Sequence, residues 1–223
     1  MLNDSFELLV KLRSAGYLQE LRDPLWWPNS GSYEVVVGTI LTQQTRWEKV
    51  EKSLDNLKKN GIDSLQKIAK LDSKTLSILI KPSGFYNTKA KYLLGLSRAI
   101  VRDFGSFEEF CLGVDREWLL SQKGIGQESA DSILCFGCLK DIFVVDSYTQ
   151  RLLSAYGYDF ENYDELQEWM SEGVLANKSK IDELYKKEMS INEIYARFHG
   201  KIVEYCKRNS VGKRVILLQQ TIS

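Results

Sequence analysis

Proline is rare in this chain, and apolar residues recur at helical intervals along most of its length. Only three of the 223 residues are proline. Proline interrupts helices, and apolar residues three or four positions apart line one helical face, so the spacing of Val50, Leu54 and Leu57 predicts a helix. Similar spacings recur downstream. The longest alternating run, IFVVD at 142–146, is too short and isolated to found a sheet, and the sequence therefore predicts an all-α fold.

The overall charge is balanced, with 30 basic and 30 acidic residues. A neutral chain has no broad positive field for nonspecific binding along nucleic acid, although one local basic patch can still bind a short stretch of DNA. Because His199 is the single histidine, histidine-rich metal sites and Ser-His-Asp catalysis are disfavoured. The sequence shows neither a membrane span nor a secretory signal, so we expect a cytoplasmic protein with reduced thiols at its four cysteines.

The stretch QKGIGQESADSILCFGCLKDIFVVD, residues 122–146, fits two motifs. Gly124 and Gly126 precede Asp146 by about the distance at which a dinucleotide fold places its ribose-binding acid. That motif needs a strand before the first glycine and a third small residue, whereas DREWLLSQK is helix-compatible and Ser129 occupies the third position. A helix-hairpin-helix, in which the glycines let backbone amides approach a phosphate, is favoured; a plain helix-helix turn is the remaining alternative.

Four segments together resemble the helix-hairpin-helix DNA glycosylases of the endonuclease III superfamily. The hairpin LLSQKGIGQESADSIL is followed by VVDSY, which is similar to the setting of that family's catalytic aspartate. ILTQQT at 40–45 resembles the segment that enters the gap left by an extruded base, IKPSGFYNTKAKYLLGLS at 80–97 resembles a family helix pair, and HGKIVEYC resembles its His-Gly-basic helix. The four matches occur in the family's order and cover most of residues 30–208.

The resemblance implies two helical subdomains with the active-site cleft between them. We expect a six-helix subdomain over 26–130 that carries the hairpin, at about 115–138 including its second helix. The second subdomain is expected to combine 1–25 with 131–223. Double-stranded DNA is the implied partner of a monomer found in the bacterial cytoplasm and at the nucleoid. The residues implied in DNA contact are Gln43, Gln44, Lys123, Gly124, Gly126, Gln127 and Ser129.

Three departures from the family pattern narrow the implied chemistry. Where bifunctional members carry a Schiff-base lysine, this chain has Glu128, which predicts base release without strand cleavage. The four-cysteine cluster motif is missing, so no iron-sulfur cluster, other cofactor or metal is expected, and the Cys135/Cys138 pair is interpreted as core. Thr39 stands where adenine-mismatch enzymes have a glutamic acid that protonates the base, which favours cationic, alkylated purines.

Tryptophans flank the Gln-Gln-Thr segment. Electron-rich indoles attract a cationic ring, so the resemblance implies a base pocket formed by Trp26, Trp27, Pro28 and Trp47, although each indole is also an ordinary core residue. Lys201 is a further pocket candidate, and a solvated helix lysine is the alternative. The sequence WWP at 26–28 and Trp47, which follows the sequence QQT, also resemble the bacterial 3-methyladenine DNA glycosylase III group.

Asp146 is the implied catalytic residue. Its carboxylate would stabilise the positive charge that develops on the sugar as the glycosidic bond breaks, and the same side chain can cap the helix SYTQRLL. Glu128 either caps the second hairpin helix or reaches the pocket. The sequence thus predicts a monofunctional glycosylase for alkylated purines such as 3-methyladenine. A glycosylase for another damaged or mismatched base, or a noncatalytic helix-hairpin-helix DNA-binding protein, remains as an alternative.

Overall fold

The fold is all-α, as the spacing of apolar residues predicts. The computed structural model describes residues 2–18, 23–212 and 214–217. Over these residues the chain forms thirteen α-helices and one short β-hairpin. In chain order the helices are α1 (Ser5–Ser14), α2 (Tyr33–Thr42), α3 (Trp47–Lys59), α4 (Leu65–Ala69), α5 (Ser73–Leu79), α6 (Tyr86–Phe104), α7 (Phe107–Gly113), α8 (Arg116–Leu120), α9 (Gln127–Ser132), α10 (Ser147–Ala155), α11 (Tyr163–Ala176), α12 (Lys178–Tyr185) and α13 (Ile191–Arg208).

Three smaller elements complete the architecture. A 3₁₀ turn spans Lys81–Ser83, and a π-helical turn over Ile133–Gly137 continues α9. Strand β1 (Ser210–Val211) pairs antiparallel with β2 (Arg214–Val215). Within the described ranges, no helix is both long enough and apolar enough to span a membrane.

Local sequence explains where most helices begin. A Ser, Asp or Asn side chain precedes the first turn and accepts a hydrogen bond from its backbone N–H groups, which would otherwise lack partners. The residues that cap a helix in this way are Asp4, Ser32, Ser64, Asp72, Ser106, Asp115, Asp146, Asn162 and Ser190.

The chain divides into two compact units. The first unit comprises Met1–Pro28 and Lys140–Ser223, and the core of its described part is formed by α1, α10, α11 and α13 around Leu8, Leu12 and Phe198. The second unit, Asn29–Leu139, contains α2 to α9, with α4 and α5 packed on α6 and with α2 against the π-helical turn.

The second unit differs from the predicted subdomain 26–130 in its bounds and its helix number. It extends to Leu139 because the π-helical turn belongs to its core: Gly31 N–H donates to the Phe136 carbonyl (2.8 Å), and Gly137 packs on Val35. It holds eight α-helices, where six were expected, and all of its residues are described. Apolar spacing indicates helical segments but not how many separate helices they form, and α4 and α8 are only five residues long each.

Candidate active site and DNA interface

The hairpin between α8 and α9 uses its two glycines for different purposes. Gly124 has φ +88°, and a Cβ there would lie 2.3 Å from Cδ2 of Tyr92, so the turn needs glycine both for its backbone conformation and for close packing. Gly126 has extended backbone (φ −100°) and forms the N-cap of α9 without a side chain. Nothing lies within 4 Å of a Cβ built at Gly126. The backbone at Gly126 therefore has room beside it for a group to approach closely.

A buried ion pair joins the two hairpin helices. Arg116 Nε lies 2.8 Å from Asp131 Oδ1, and a second guanidinium nitrogen lies 3.3 Å from Oδ2. Asp131 is fully buried. Two parallel hydrogen bonds from a planar guanidinium fix both distance and angle, so this pair sets the orientation of α9 relative to α8.

The two glutamines that follow α2 have different roles. Gln43 Nε2 donates to the Gly124 carbonyl (3.0 Å) and to Ser129 Oγ (3.3 Å), which ties its amide to the hairpin. Gln44 is exposed and has left-handed backbone (φ +53°). Within the described part of the chain its amide has no hydrogen-bond partner. Gln43 and Ser129 are thus positioning groups, and Gln44 is the side chain available for contact with a ligand.

Phe85 is an exposed aromatic residue that the sequence analysis missed. It has φ +45°, an unfavourable conformation for a bulky residue, and its side chain is 69% exposed. The preceding turn is bonded to the glutamine turn, because Thr45 Oγ1 donates to the Ser83 carbonyl (2.5 Å). An aromatic residue directly after glycine in KPSGFYN was the available signal.

Lys123 lies beside the hairpin, at a cavity of about 300 Å³. Lys91 and Arg102 also line this cavity, and the Arg102 guanidinium is paired with the Asp103 carboxylate (2.6 and 2.8 Å). Gln127 is the first residue of α9, and Trp47 is the half-buried first residue of α3 in the same unit. Lys91 and Lys123 thus place basic side chains beside the hairpin, inside a chain of zero net charge.

Asp146 is the N-cap of α10, as the sequence predicts. Its Oδ1 accepts hydrogen bonds from the N–H of Tyr148 (3.0 Å), the N–H of Thr149 (2.8 Å) and Thr149 Oγ1 (3.0 Å). All three bonds fall on Oδ1, which leaves Oδ2 as the oxygen that can face a ligand. The carboxylate is half-buried. Its orientation is fixed by the helix through these three bonds.

His199 lies on α13 beside the segment that leads to Asp146. Its Nδ1 is 2.9 Å from the Val144 carbonyl, and burial lowers the pKa of the imidazole, although the nearby Asp146 carboxylate acts in the opposite direction. The ring packs edge-on against Trp26 at 5.1 Å between centroids. A neutral imidazole held in this way supports Val144 and Trp26, and through them the position of the carboxylate.

Trp26 packs directly on α13, where Gly200 makes room for it. A Cβ at Gly200 would lie 2.4 Å from Cγ of Trp26 and 2.8 Å from a methyl of Leu18. Glycine within a helix costs about 1 kcal/mol relative to alanine, so the close approach of the indole explains its presence. Trp26 is half-buried, and its Nε1 lies 3.5 Å from Glu204 Oε1.

The other predicted pocket residues of this unit differ in exposure. Trp27 is 8% exposed and packs edge-on against Trp26, at 6.1 Å between centroids, while Pro28 is half-buried. Of the two adjacent indoles, Trp26 therefore offers the more accessible surface. Trp27 acts mainly as support for it, in line with the core alternative.

Lys201 is buried, and the alternative of a solvated helix lysine is wrong. The residue is 1% exposed; its ammonium donates to the Tyr17 carbonyl and lies 5.9 Å from the centre of the Tyr185 ring. Burial, reinforced by Arg197 and Arg13, lowers the pKa of this amine to about 8. Its contacts link α13 to the residues after α1, and they do not test the predicted pocket role.

The lowered pKa of Lys201 predicts a specific pH dependence of stability. Between pH 8 and 10.5 the unfolded chain retains a proton that the folded amine has released, so the free energy of unfolding should rise with pH. Relative to Lys201→Met, the wild type should gain roughly 1 to 3 kcal/mol across this window. Urea denaturation at the two ends of the window measures the difference.

Lys207→Met serves as the control, because this lysine lies on the same helix and is exposed. The shifted tyrosines and Cys206 titrate equally in all three proteins and cancel in the comparison. Parallel stability curves for the wild type and Lys201→Met would contradict an ionisation shift at this residue.

The cysteines are dispersed in the fold. Cys135 lies buried in the π-helical turn, Cys138 follows that turn, Cys111 lies in α7 and Cys206 in α13. Among the described residues, no group of three or more His, Cys, Asp or Glu side chains is arranged to hold a metal ion. The expected absence of an iron-sulfur cluster stays a prediction.

Comparison with known proteins identifies the family. Residues 37–174 match the HhH-GPD superfamily base excision DNA repair protein. The crystal structure of H. pylori 3-methyladenine DNA glycosylase (MagIII) bound to 1,N6-ethenoadenine is 47% identical, with a TM-score of 0.89, and the match covers 93% of this chain and 99% of that one. The "Putative DNA repair glycosylase MJ1434" of Methanocaldococcus jannaschii is 38% identical over 93% of this chain and 91% of its own length.

Other relatives are more distant in sequence. Endonuclease III of Thermotoga maritima is 32% identical over 56% of this chain and 57% of its own length. A trapped endonuclease III-DNA covalent intermediate shares the fold, with a TM-score of 0.67 at 14% identity.

The all-α fold agrees with the family model that matches residues 37–174. The chain belongs to the HhH-GPD superfamily of base excision DNA repair proteins. It is a DNA glycosylase, and DNA is its partner, which confirms the family resemblance found in the sequence.

Proposed function

We propose that this protein is a monofunctional DNA glycosylase that hydrolyses the N-glycosidic bond of alkylated purines such as 3-methyladenine. The observation that carries the proposal is the Asp146 carboxylate, which its helix fixes through Oδ1 while Oδ2 stays available. The 47% identity to a 3-methyladenine glycosylase over nearly the whole chain supports the same substrate class.

Asp146 acts on the sugar in this proposal. As the bond to the base breaks, positive charge develops on the deoxyribose, and an adjacent carboxylate stabilises that charge and orients the attacking water. The hydrogen bonds to Oδ1 hold the carboxylate in place for this role. The product is an abasic site with both strands intact.

Two positions support monofunctional action on a cationic base. Glu128, in the first turn of α9, replaces the lysine that would form a Schiff base with the sugar. Thr39 is buried and donates to the Val35 carbonyl (2.8 Å), so this position cannot protonate a neutral purine. An N3-alkylated purine already carries positive charge and leaves without such an acid.

Trp26 supports recognition of a charged base. An indole face attracts a cationic ring by about 1 to 2 kcal/mol when water is excluded. Gly200 lets the indole lie against α13, where Trp27 and His199 restrain it from two sides. A flipped 3-methyladenine would find a preformed aromatic surface, and the ordinary neutral purines would gain less from it.

The direct test is base release from methylated DNA. Incubated with N-methylated duplex, the protein should release 3-methyladenine into the supernatant, and borohydride should trap no covalent protein-DNA adduct. Chromatography of the supernatant and gel electrophoresis of the trapping reaction measure the two outcomes. Release of a different damaged or mismatched base would show that the substrate is not an alkylated purine and would support the alternative substrate class. A trapped adduct would show that another amine replaces the missing lysine.

We further propose that Gln44 fills the space left by the flipped nucleotide and that Phe85 stacks on the neighbouring bases. Both side chains are exposed on turns with left-handed backbone, which aims them away from the second unit's core. Exposed aromatic rings stack on bases with about 1 to 3 kcal/mol each. Gln43, whose amide is tied to the hairpin, positions the turn.

Alanine substitutions distinguish the two glutamines. Gln44→Ala should weaken binding to a duplex with an abasic-site analogue by about 1 to 2 kcal/mol, while the free energy of unfolding stays near wild type. Gln43→Ala should destabilise the second unit by about 1 kcal/mol, because it removes two hydrogen bonds to the hairpin. Fluorescence anisotropy and urea denaturation measure these effects. If Gln43→Ala weakens duplex binding while Gln44→Ala lowers the stability, Gln43 is the residue that fills the space left by the flipped nucleotide.

A further inference from the structure

Lys89 is a second buried lysine, and it lies in the first turn of α6. The residue is 3% exposed. Its ammonium donates to the Leu41 carbonyl (2.7 Å), to Thr45 Oγ1 (2.7 Å) and to the Ser83 carbonyl (2.8 Å). The three N–H groups are thus matched by three oxygens. In the described ranges no carboxylate forms an ion pair with it.

The three acceptors belong to the two turns proposed to enter DNA. Leu41 lies in the last turn of α2 and Thr45 follows Gln44, so these two bonds enclose the glutamine turn on both sides. Ser83 directly precedes the Gly84-Phe85 turn. One ammonium group therefore connects the segment that carries Gln44 to the segment that carries Phe85.

Burial of this charge opposes folding. The oxygens around Lys89 are neutral, and desolvation lowers the pKa of the amine to about 8. A methionine could fill similar space without the desolvation cost, so general packing does not explain a lysine here. The negative end of α2, at the Leu41 carbonyl, offsets part of that cost. What a lysine adds is a fixed geometry for three oxygens from two separate turns.

We propose that Lys89 is a positioning residue that couples the Gln44 turn to the Phe85 turn, so that both side chains enter the duplex together. This inference rests on the proposed role of these two residues at the flipped nucleotide. Both residues have positive φ, a conformation that neighbouring contacts must maintain. A displacement of about 1 Å at such a site can lower the rate by about 100-fold.

Lys89→Met tests the inference with a spectroscopic signal that is independent of base chemistry. The probe is a duplex with a tetrahydrofuran abasic-site analogue opposite 2-aminopurine, whose fluorescence reports how the estranged base is stacked. At saturating protein, Lys89→Met should reduce the wild-type fluorescence change at least about twofold. Single-turnover release of 3-methyladenine should fall by about 10- to 100-fold. Lys52→Met, an exposed lysine of α3, controls for the lost charge and should match the wild type.

Gln44→Ala and Phe85→Ala, measured in parallel, distinguish a failure of the proposed DNA contacts from a failure of the proposed role of Lys89. If neither changes the 2-aminopurine signal, the proposed DNA contacts fail. If both reduce it while folded Lys89→Met keeps the wild-type signal, only the role of Lys89 is overturned. Should Lys89→Met not fold, Lys89→Gln decides, because it keeps a hydrogen-bond donor at this position and removes the ammonium that reaches all three oxygens. A reduced signal for folded Lys89→Gln supports the coupling, and an unchanged one overturns it.

Discussion

Asp146→Asn is expected to slow release of 3-methyladenine from methylated duplex by at least about 100-fold, with little change in stability. The substitution removes the negative charge that stabilises the developing cation. Asparagine caps helices about as well as aspartate, so α10 should keep the hydrogen bonds from Tyr148 and Thr149. Single-turnover release and urea denaturation give the two quantities.

Asp72→Asn is a matched control for this substitution. Asp72 also caps a helix, α5: its Oδ1 accepts from the N–H of Thr75 (2.9 Å) and its Oδ2 from Thr75 Oγ1 (2.6 Å). The control should therefore show the same small change in stability and wild-type base release. Release by Asp146→Asn at the wild-type rate would reduce Asp146 to a helix cap and remove the basis of the proposed mechanism.

Gly124→Ala should have the largest structural effect on the DNA interface. The new methyl group would lie 2.3 to 2.7 Å from three atoms of the Tyr92 ring, and φ +88° is itself unfavourable for alanine. Either the ring or the hairpin must move, and overpacking with backbone strain together costs about 2 to 4 kcal/mol. Because the Gly124 carbonyl also holds Gln43, duplex binding should fall along with stability.

Gly126→Ala is the stability control, since it makes the same chemical change two residues away in open space. Its free energy of unfolding should stay within about 1 kcal/mol of the wild type. Equal destabilisation by the two substitutions would show that the contact with Tyr92 is not what requires glycine at position 124. Tyr92→Ala combined with Gly124→Ala should recover part of the loss if the ring causes it.

Much of the fold and part of the site could be predicted from the sequence. Local signals were sufficient where the physics is local: apolar spacing for the helices, the glycine pair for the hairpin, and an aspartate before SYTQRLL for the cap of α10. The number of helices in the second unit could not be predicted in this way, because apolar spacing does not show where one short helix ends and the next begins. Phe85 was missed because exposure depends on the packing of the whole unit.

The burial of two lysines could not be predicted from local sequence. In sequence Lys89 and Lys201 resemble ordinary charged residues on helix surfaces, yet both are almost completely buried. Their hydrogen-bond partners include Leu41 and Tyr17, which lie 48 and 184 positions away in the chain. No local pattern indicates such partners.

The sequence by itself determined the helical class, the hairpin and the aspartate that caps α10, because each depends on a few neighbouring residues. The tertiary structure alone decided which glutamine is tied to the hairpin, how Gly200 admits Trp26, and which oxygens surround Lys89. These features depend on distances of a few ångströms between segments remote in sequence, and only the packing of the helices fixes such distances.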